Sequence, residues 1–227
     1  MADEFSGLPP KTFRFLGGLS RNNDKAWFEE HRGDYDAYYV EPGKALVLAL
    51  GPLLQKFAPQ VQFEPRVGGS IARVHRDVRF TKDKSPYKDH LDLWFWHGHQ
   101  KGWNAPGFFF RLTEKKVLLG SGMHLFDKDQ LANYRAAVLD PKKGAALSKA
   151  LKAVAADGES TGEPVRKKVP RGFDAEHPRA DLLKHDGLHA YWEGPVPKEA
   201  RTAAFPAWCA EHFRAQWPVG KWLLSVL

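Results

Sequence analysis

The spacing of apolar residues changes twice along the chain, and the changes divide it into helical, extended and again helical stretches. Residues 12–57 read as helical. Phe13, Phe15, Leu16 and Leu19 form a short apolar stripe, and Asn22-Asn23-Asp24 then offers N-cap chemistry. Trp27, Phe28, His31, Tyr35 and Tyr38 follow at spacings of one, three or four, as on one face of an amphipathic helix. Pro42 predicts a break. Leu46, Val47, Leu50, Leu53, Leu54 and Phe57 then resume the helical pattern, which stops near Pro59. The aromatic residues of this region read as core packing.

From 61 to 124 the period falls to two. Ala72, Val74, Arg76, Val78 and Phe80 are expected on one face of a strand, with Arg73, His75, Asp77 and Arg79 on the other. Leu91, Leu93 and Phe95 alternate with Asp92, Trp94 and Trp96. Phe108-Phe109-Phe110-Arg111-Leu112 and Val117-Leu118-Leu119-Gly120 flank a turn at Thr113-Glu114-Lys115-Lys116. Helical spacing returns with Asp127-Lys128-Asp129-Gln130, which has the form of a capping box, and then Leu131, Tyr134, Val138 and Leu139. Leu147, Leu151 and Val154 predict another helix, 157–181 a loop, and Phe205, Trp208, His212 and Phe213 a C-terminal helix, with apolar residues continuing past Pro218. No internal repeat or linker interrupts the order. Helices, strands, then helices predict one α+β domain over residues 1–227. Its centre is an antiparallel sheet of about four or five strands, flanked by N- and C-terminal helices.

Composition supports a packed core: 227 residues, 43% hydrophobic, with eight Trp and fifteen Phe. The formal charge is +7, from 34 Lys and Arg against 27 Asp and Glu. That balance suits nucleic acid, a phosphate ligand or an acidic partner and requires none of them. The single cysteine, Cys209, excludes an internal disulfide and a zinc site built from several thiolates, and its flanks place it on a helix as a buried residue. The acidic start of the chain carries no apolar leader, and no segment reaches the roughly 18 apolar residues of a membrane span, so a cytoplasmic protein with no membrane partner is expected.

Charge is concentrated at residues 71–88, interleaved with Ile, Val, Phe and Tyr as a solvated charge run would not be. Arg76 falls on the apolar face, where a guanidinium needs a partner, so it is expected in a structural ion pair or on a ligand. Arg73, His75, Asp77 and Arg79 face the other way, and Lys82, Lys84 and Lys88 surround a turn at Ser85-Pro86. Arginine forks and lysines at this density suit a phosphate or carboxylate. Arg171, in the basic stretch from Arg166, is a candidate to close over the same anion. Two readings stay open: an anion pocket, or a charged face satisfied by its own salt bridges.

Four patches in order carry a family resemblance. They are Leu19-Ser20-Arg21-Asn22-Asn23 with Trp27-Phe28; Arg73 through Lys88; Leu119-Gly120-Ser121-Gly122-Met123 with Leu131 and Tyr134-Arg135; and Lys168-Val169-Pro170-Arg171-Gly172-Phe173 with His177-Pro178 and Leu182-Leu183. On these the chain resembles the uncharacterised bacterial and fungal family called domain of unknown function 2461. The resemblance implies a single-domain α+β protein and carries over no catalytic residues.

Other chemistry is sparsely signalled. His97 and His99 would share a face of an extended segment, as would His75 and Asp77, but no pair has the helical spacing of a zinc hydrolase, and no metal is expected. The chain has no P-loop, dinucleotide fingerprint or nucleophile elbow, so no cofactor is expected. Three functions follow. In an enzyme, Arg73 and Arg79 clamp an anionic substrate, Lys84 and Lys88 neutralise developing charge, and His75 or Asp77 is general acid or base. In a nucleic-acid module, Trp94, Trp96, Trp103 and the three Phe stack bases beside basic strands. In a structural or partner-binding protein, Arg76, Asp77, Asp83 and Lys84 satisfy one another. Oligomeric state is not legible.

Overall fold

A computed structural model describes residues 5–98 and 104–227; His99 and Trp103 lie outside them. Four helices come first: α1 (Pro10–Arg21), α2 (Lys25–Glu30), α3 (Arg32–Tyr35) and α4 (Glu41–Gln55), with a π-helical turn at Asp36–Val40. Then follow β1 (Leu91–Trp96), β2 (Gly107–Leu112), β3 (Lys116–Met123), α5 (Lys128–Leu139), α6 (Pro141–Ala156), β4 (Ser160–Thr161), β5 (Leu188–Pro195) and α7 (Phe205–Leu224). The strands form one antiparallel sheet in the order β1-β2-β3-β5-β4. Ser160 pairs with Tyr191 and Thr161 with Ala190.

Local chemistry explains the element ends. Asp24 caps α2 by accepting from the Trp27 amide at 2.9 Å. Asp127 and Gln130 form the expected capping box of α5. Thr113 closes the β2–β3 turn, its hydroxyl accepting from the Lys116 amide at 2.9 Å. Pro42 does not break the chain: the helical run passes through it into α4, and the irregularity is the π-helical turn just before it. The adjacent Gly17 and Gly18 inside α1 cost helix propensity. A Cβ on Gly18 would lie 2.7 Å from the Trp27 ring, so glycine admits that ring against the helix.

The strand expected at 71–80 is absent. Ile71 makes one bridge to Leu93 and His75 one to Tyr87, and the rest is a loop folded back on itself. Alternation marks which side faces inward, but a strand also needs a partner along its length, and here the chain supplies its own across a turn. Val74 is buried and Arg76 half-buried as the alternation requires, whereas Phe80, at the turn, is 93% exposed. The sheet instead includes β5 and the two-residue β4, both of which lie beyond the expected strands.

Residue contacts divide the chain into two compact units. One comprises Met1–Phe95, Phe109–Leu119 and Glu193–Glu211; the other Trp96–Phe108, Gly120–Trp192 and His212–Leu227. The first has a core of Leu16, Leu19, Phe28, Tyr39 and Leu46, all essentially inaccessible, and Phe110 meets Phe205 edge-on at 6.0 Å. The second packs α5, α6 and α7 through Tyr134, Val138, Leu147, Leu183 and Leu223. The Tyr134 hydroxyl donates to the Leu182 carbonyl at 2.9 Å, and the Arg135 guanidinium lies 5.7 Å from the Phe173 ring centre.

Three histidines of the second unit are held neutral by burial. His97 and His185 are shifted below the ordinary imidazole value, and His189 is pushed down to about 4 by burial and then by the charges of His124 and His185. Below pH 6.5 an unfolded chain takes up protons that these folded sites refuse, so stability falls as pH drops toward 4. A melting series is expected to lose roughly 5 °C between pH 7 and pH 5, with a shallower slope in His189→Gln. Equal slopes in the two proteins would contradict the assignment.

Candidate functional site

The first and second sequence patches meet in the first unit. The Asn23 amide donates to the Tyr87 carbonyl and accepts from the Tyr87 amide, both at 2.9 Å. Phe28 stacks on Tyr87 with centroids 4.1 Å apart, and the Ser20 hydroxyl donates to Asp89 at 3.1 Å. The returning loop is thereby pinned to the end of α1 and to α2. Between them lies a cavity of about 400 Å³.

Its polar wall includes Ser20, Arg76, Asp83, Ser85, Lys88 and His90. Arg76 donates from Nη1 to Asp83 at 2.5 Å. Asp83 also accepts from the Ser85 hydroxyl at 2.7 Å and the Ser85 amide at 3.0 Å. The Ser85 bonds and then Arg76 hold its carboxyl well below the usual range. Lys88 lies 3.6 Å from Asp92. His90 Nδ1 is 2.9 Å from Asp89 and Nε2 is 3.3 Å from Asp92, so the ring is held between two carboxylates. Behind it Arg111 grips Asp92 with two bonds, at 2.7 and 3.1 Å. Burial would raise the Asp92 carboxyl, but the bonds from His90 and Arg111 outweigh it and hold the group ionised. A further cavity of about 310 Å³ shares Ser20 and Asp89 and extends to the β2–β3 turn.

Of the residues singled out by sequence, Arg76 and Lys88 line the cavity. Asp77 is engaged by Arg79 at 2.9 and 2.7 Å, and both side chains are more than half exposed. His75 is exposed, with its ring against Phe28 and Tyr87. Lys84 donates to the Val78 carbonyl at 2.9 Å. Arg73 and Lys82 are exposed. Arg171 belongs to the other unit and is exposed there. None of these is a wall residue. Sequence reading missed Ser20, Asn23, Ser85, Asp89, His90 and Asp92 as wall or support; it named Asp83 only as a partner in the salt-bridge reading, and Asp83 does pair with Arg76. Ser20 and Asn23 were within its reach, since both stand in the first patch.

Among the described residues, those proposed to stack bases are core. Trp94, Trp96 and Phe108–Phe110 are all at most 9% exposed and present no platform. His97, one of the paired histidines, is buried, with Nδ1 2.8 Å from the Pro106 carbonyl. No helix among the described residues is long and apolar enough to cross a membrane.

A family model described as "Conserved hypothetical protein (DUF2461)" matches residues 11–222. No curated protein matches the chain.

Proposed function

The chain belongs to the DUF2461 family of conserved hypothetical proteins, and from that premise we propose that the cavity beside residues 76–90 binds a small ligand bearing a phosphate or carboxylate. The observation that carries the reading is Arg76. Its side chain is 27% exposed and lines the cavity, and its bond to Asp83 engages Nη1, leaving Nε and Nη2 for a ligand. Lys88 supplies a second cation, and Ser20 and Ser85 supply hydroxyls. Asp83 and Asp89 on the same wall favour a ligand that also carries hydroxyl or amino groups, since a bare dianion would face them directly. His90, held from both sides, is the group placed to give a proton if the ligand is also a substrate. The same reading takes residues 1–227 as one α+β domain, because the unit boundaries fall inside β1, β2, β3, β5 and α7 rather than in linkers.

One observation favours a purely structural network: Arg76, Lys88 and His90 each have a carboxylate within reach. Magnitude separates the two readings. The Asp83 side chain is 59% exposed, and a pair so open to water adds little to stability. A guanidinium donating to a bound anion contributes about 1.5–3 kcal/mol. A thermal-shift screen of sugar phosphates, nucleotides and organic acids, followed by calorimetry, is expected to find a ligand whose affinity falls roughly 10- to 100-fold in Arg76→Gln. The melting temperature of that variant should change by less than about 3 °C. A large loss of melting temperature with no ligand found would support the network instead.

A further inference from the structure

Another cavity of about 400 Å³ lies in the helical N-terminal region, walled in part by Trp27, His31 and Tyr38, which the sequence pattern assigns to core packing. Two helical faces build it. Lys11, Arg14 and Gly18 recur along α1 at spacings of three and four; Trp27, His31 and Tyr38 recur along the following helical run at four and seven. We propose that this cavity is a binding site for a small anion that carries an aromatic ring, such as a nucleoside monophosphate or an aryl carboxylate.

Three features point to that class. The first is a planar stack. His31 lies parallel to Trp27, centroids 4.0 Å apart and planes 13° apart, with Nδ1 fixed 2.9 Å from the Trp27 carbonyl. Phe15 also packs against Trp27, tilted, with centroids 5.8 Å apart. The Trp27 and His31 rings both line the cavity, so a ligand ring entering it can add to this stack at the separation offset aromatic pairs prefer. The second is charge. Lys11 donates to the Tyr38 hydroxyl at 2.8 Å and lies 4.8 Å from that ring's centre, so its ammonium is held at the cavity wall. Arg14 forms no ion pair among the described residues. An exposed arginine is stable unpaired, so this alone says little; beside a held ammonium it is an uncommitted fork suited to a phosphate or carboxylate. The third is backbone. Tyr38 sits at the centre of the π-helical turn Asp36–Val40. Such single-turn irregularities are rare and concentrate at functional sites, because the extra residue re-aims a side chain. Asp34, also on the wall, can accept from a ligand hydroxyl such as that of a ribose.

Calorimetry on the full chain tests the assignment with adenosine monophosphate, adenosine, inorganic phosphate and benzoate. Saturable binding of adenosine monophosphate or benzoate is expected, with adenosine and phosphate at least about tenfold weaker, since each carries half of the recognition. Arg14→Ala should weaken binding about tenfold or more, and Tyr38→Phe severalfold, while Arg76→Gln leaves it unchanged. Both substituted positions leave the hydrophobic core intact, and an unaltered melting temperature will show that the fold is retained. Absence of saturable binding by both aromatic anions would overturn the proposal. So would affinity indifferent to Arg14→Ala, or affinity lost in Arg76→Gln alone, which assigns the ligand to the other cavity. Phosphate binding as tightly as adenosine monophosphate would remove the ring from the recognition and overturn it too.

Discussion

Gly122→Ala is expected to destabilise the chain by about 3 kcal/mol or more, because its cost falls on backbone that cannot move aside. Gly122 has φ +131°, outside the range open to a residue with a Cβ. An alanine Cβ there would lie 2.4 Å from the Leu188 carbonyl oxygen and 2.7 Å from the His189 Cα. Both belong to β5, the sheet neighbour of β3. A flexible side chain could rotate away from such an intrusion; a hydrogen-bonded strand must shift as a whole. Gly158 is the control. It too has a positive φ, +79°, but nothing lies within 4 Å of an added Cβ, so Gly158→Ala should cost only about 1 kcal/mol. Denaturant unfolding of the two variants measures both values. A Gly122→Ala protein within 1 kcal/mol of the parent would mean that the close approach of the strands is not needed.

Asp92→Ala is expected to cost a similar amount, about 3 kcal/mol, and to disable the candidate site as well. The Asp92 side chain is 19% exposed and collects two bonds from Arg111, one contact from His90 and the ammonium of Lys88. Removing the carboxylate leaves the Lys88 and Arg111 cations facing one another with reduced access to water. Asp92→Asn keeps the shape, loses the charge and should cost somewhat less. The pH dependence identifies the cause. Because the folded carboxyl is held below its unfolded value of 3.8, Asp92 contributes stability above about pH 4 that disappears as pH falls through the folded value. The acid limb of the stability curve should therefore flatten in Asp92→Asn, while the loss between pH 7 and pH 5, which belongs to the buried histidines, stays. An unchanged acid limb would show that Asp92 is not the titrating anchor. In ligand titrations the same variant should bind more weakly than the parent, since Lys88 and His90 lose the group that positions them.

Local chemistry was legible wherever neighbours in sequence decide the outcome. The capping box at Asp127, the turn at Thr113 and the extended run of β1 all depend on residues a few positions apart, and all stand in the structure, although β1 is buried on both faces from Leu93 on rather than alternating. The expectation that failed, a strand over 71–80, used the same signal without its condition. Alternation describes a face, and only a partner along the backbone makes a strand of it. The inward placement of Val74 and Arg76 was readable; the return of the chain at His75–Tyr87 was not.

By itself the sequence determined the α+β class, the helix-rich ends around an extended centre and the family. Each of these follows from composition, short-range periodicity or motif order. Which charges share a cavity was decided only by tertiary structure. Ser20 meets Asp89 across 69 positions and Asn23 clamps Tyr87 across 64. Contacts so distant leave no periodic trace, because their geometry depends on how α1, α2 and the returning loop pack. That packing admits Arg76 and Lys88 to the cavity and leaves Asp77 and Arg79 paired with each other on the surface.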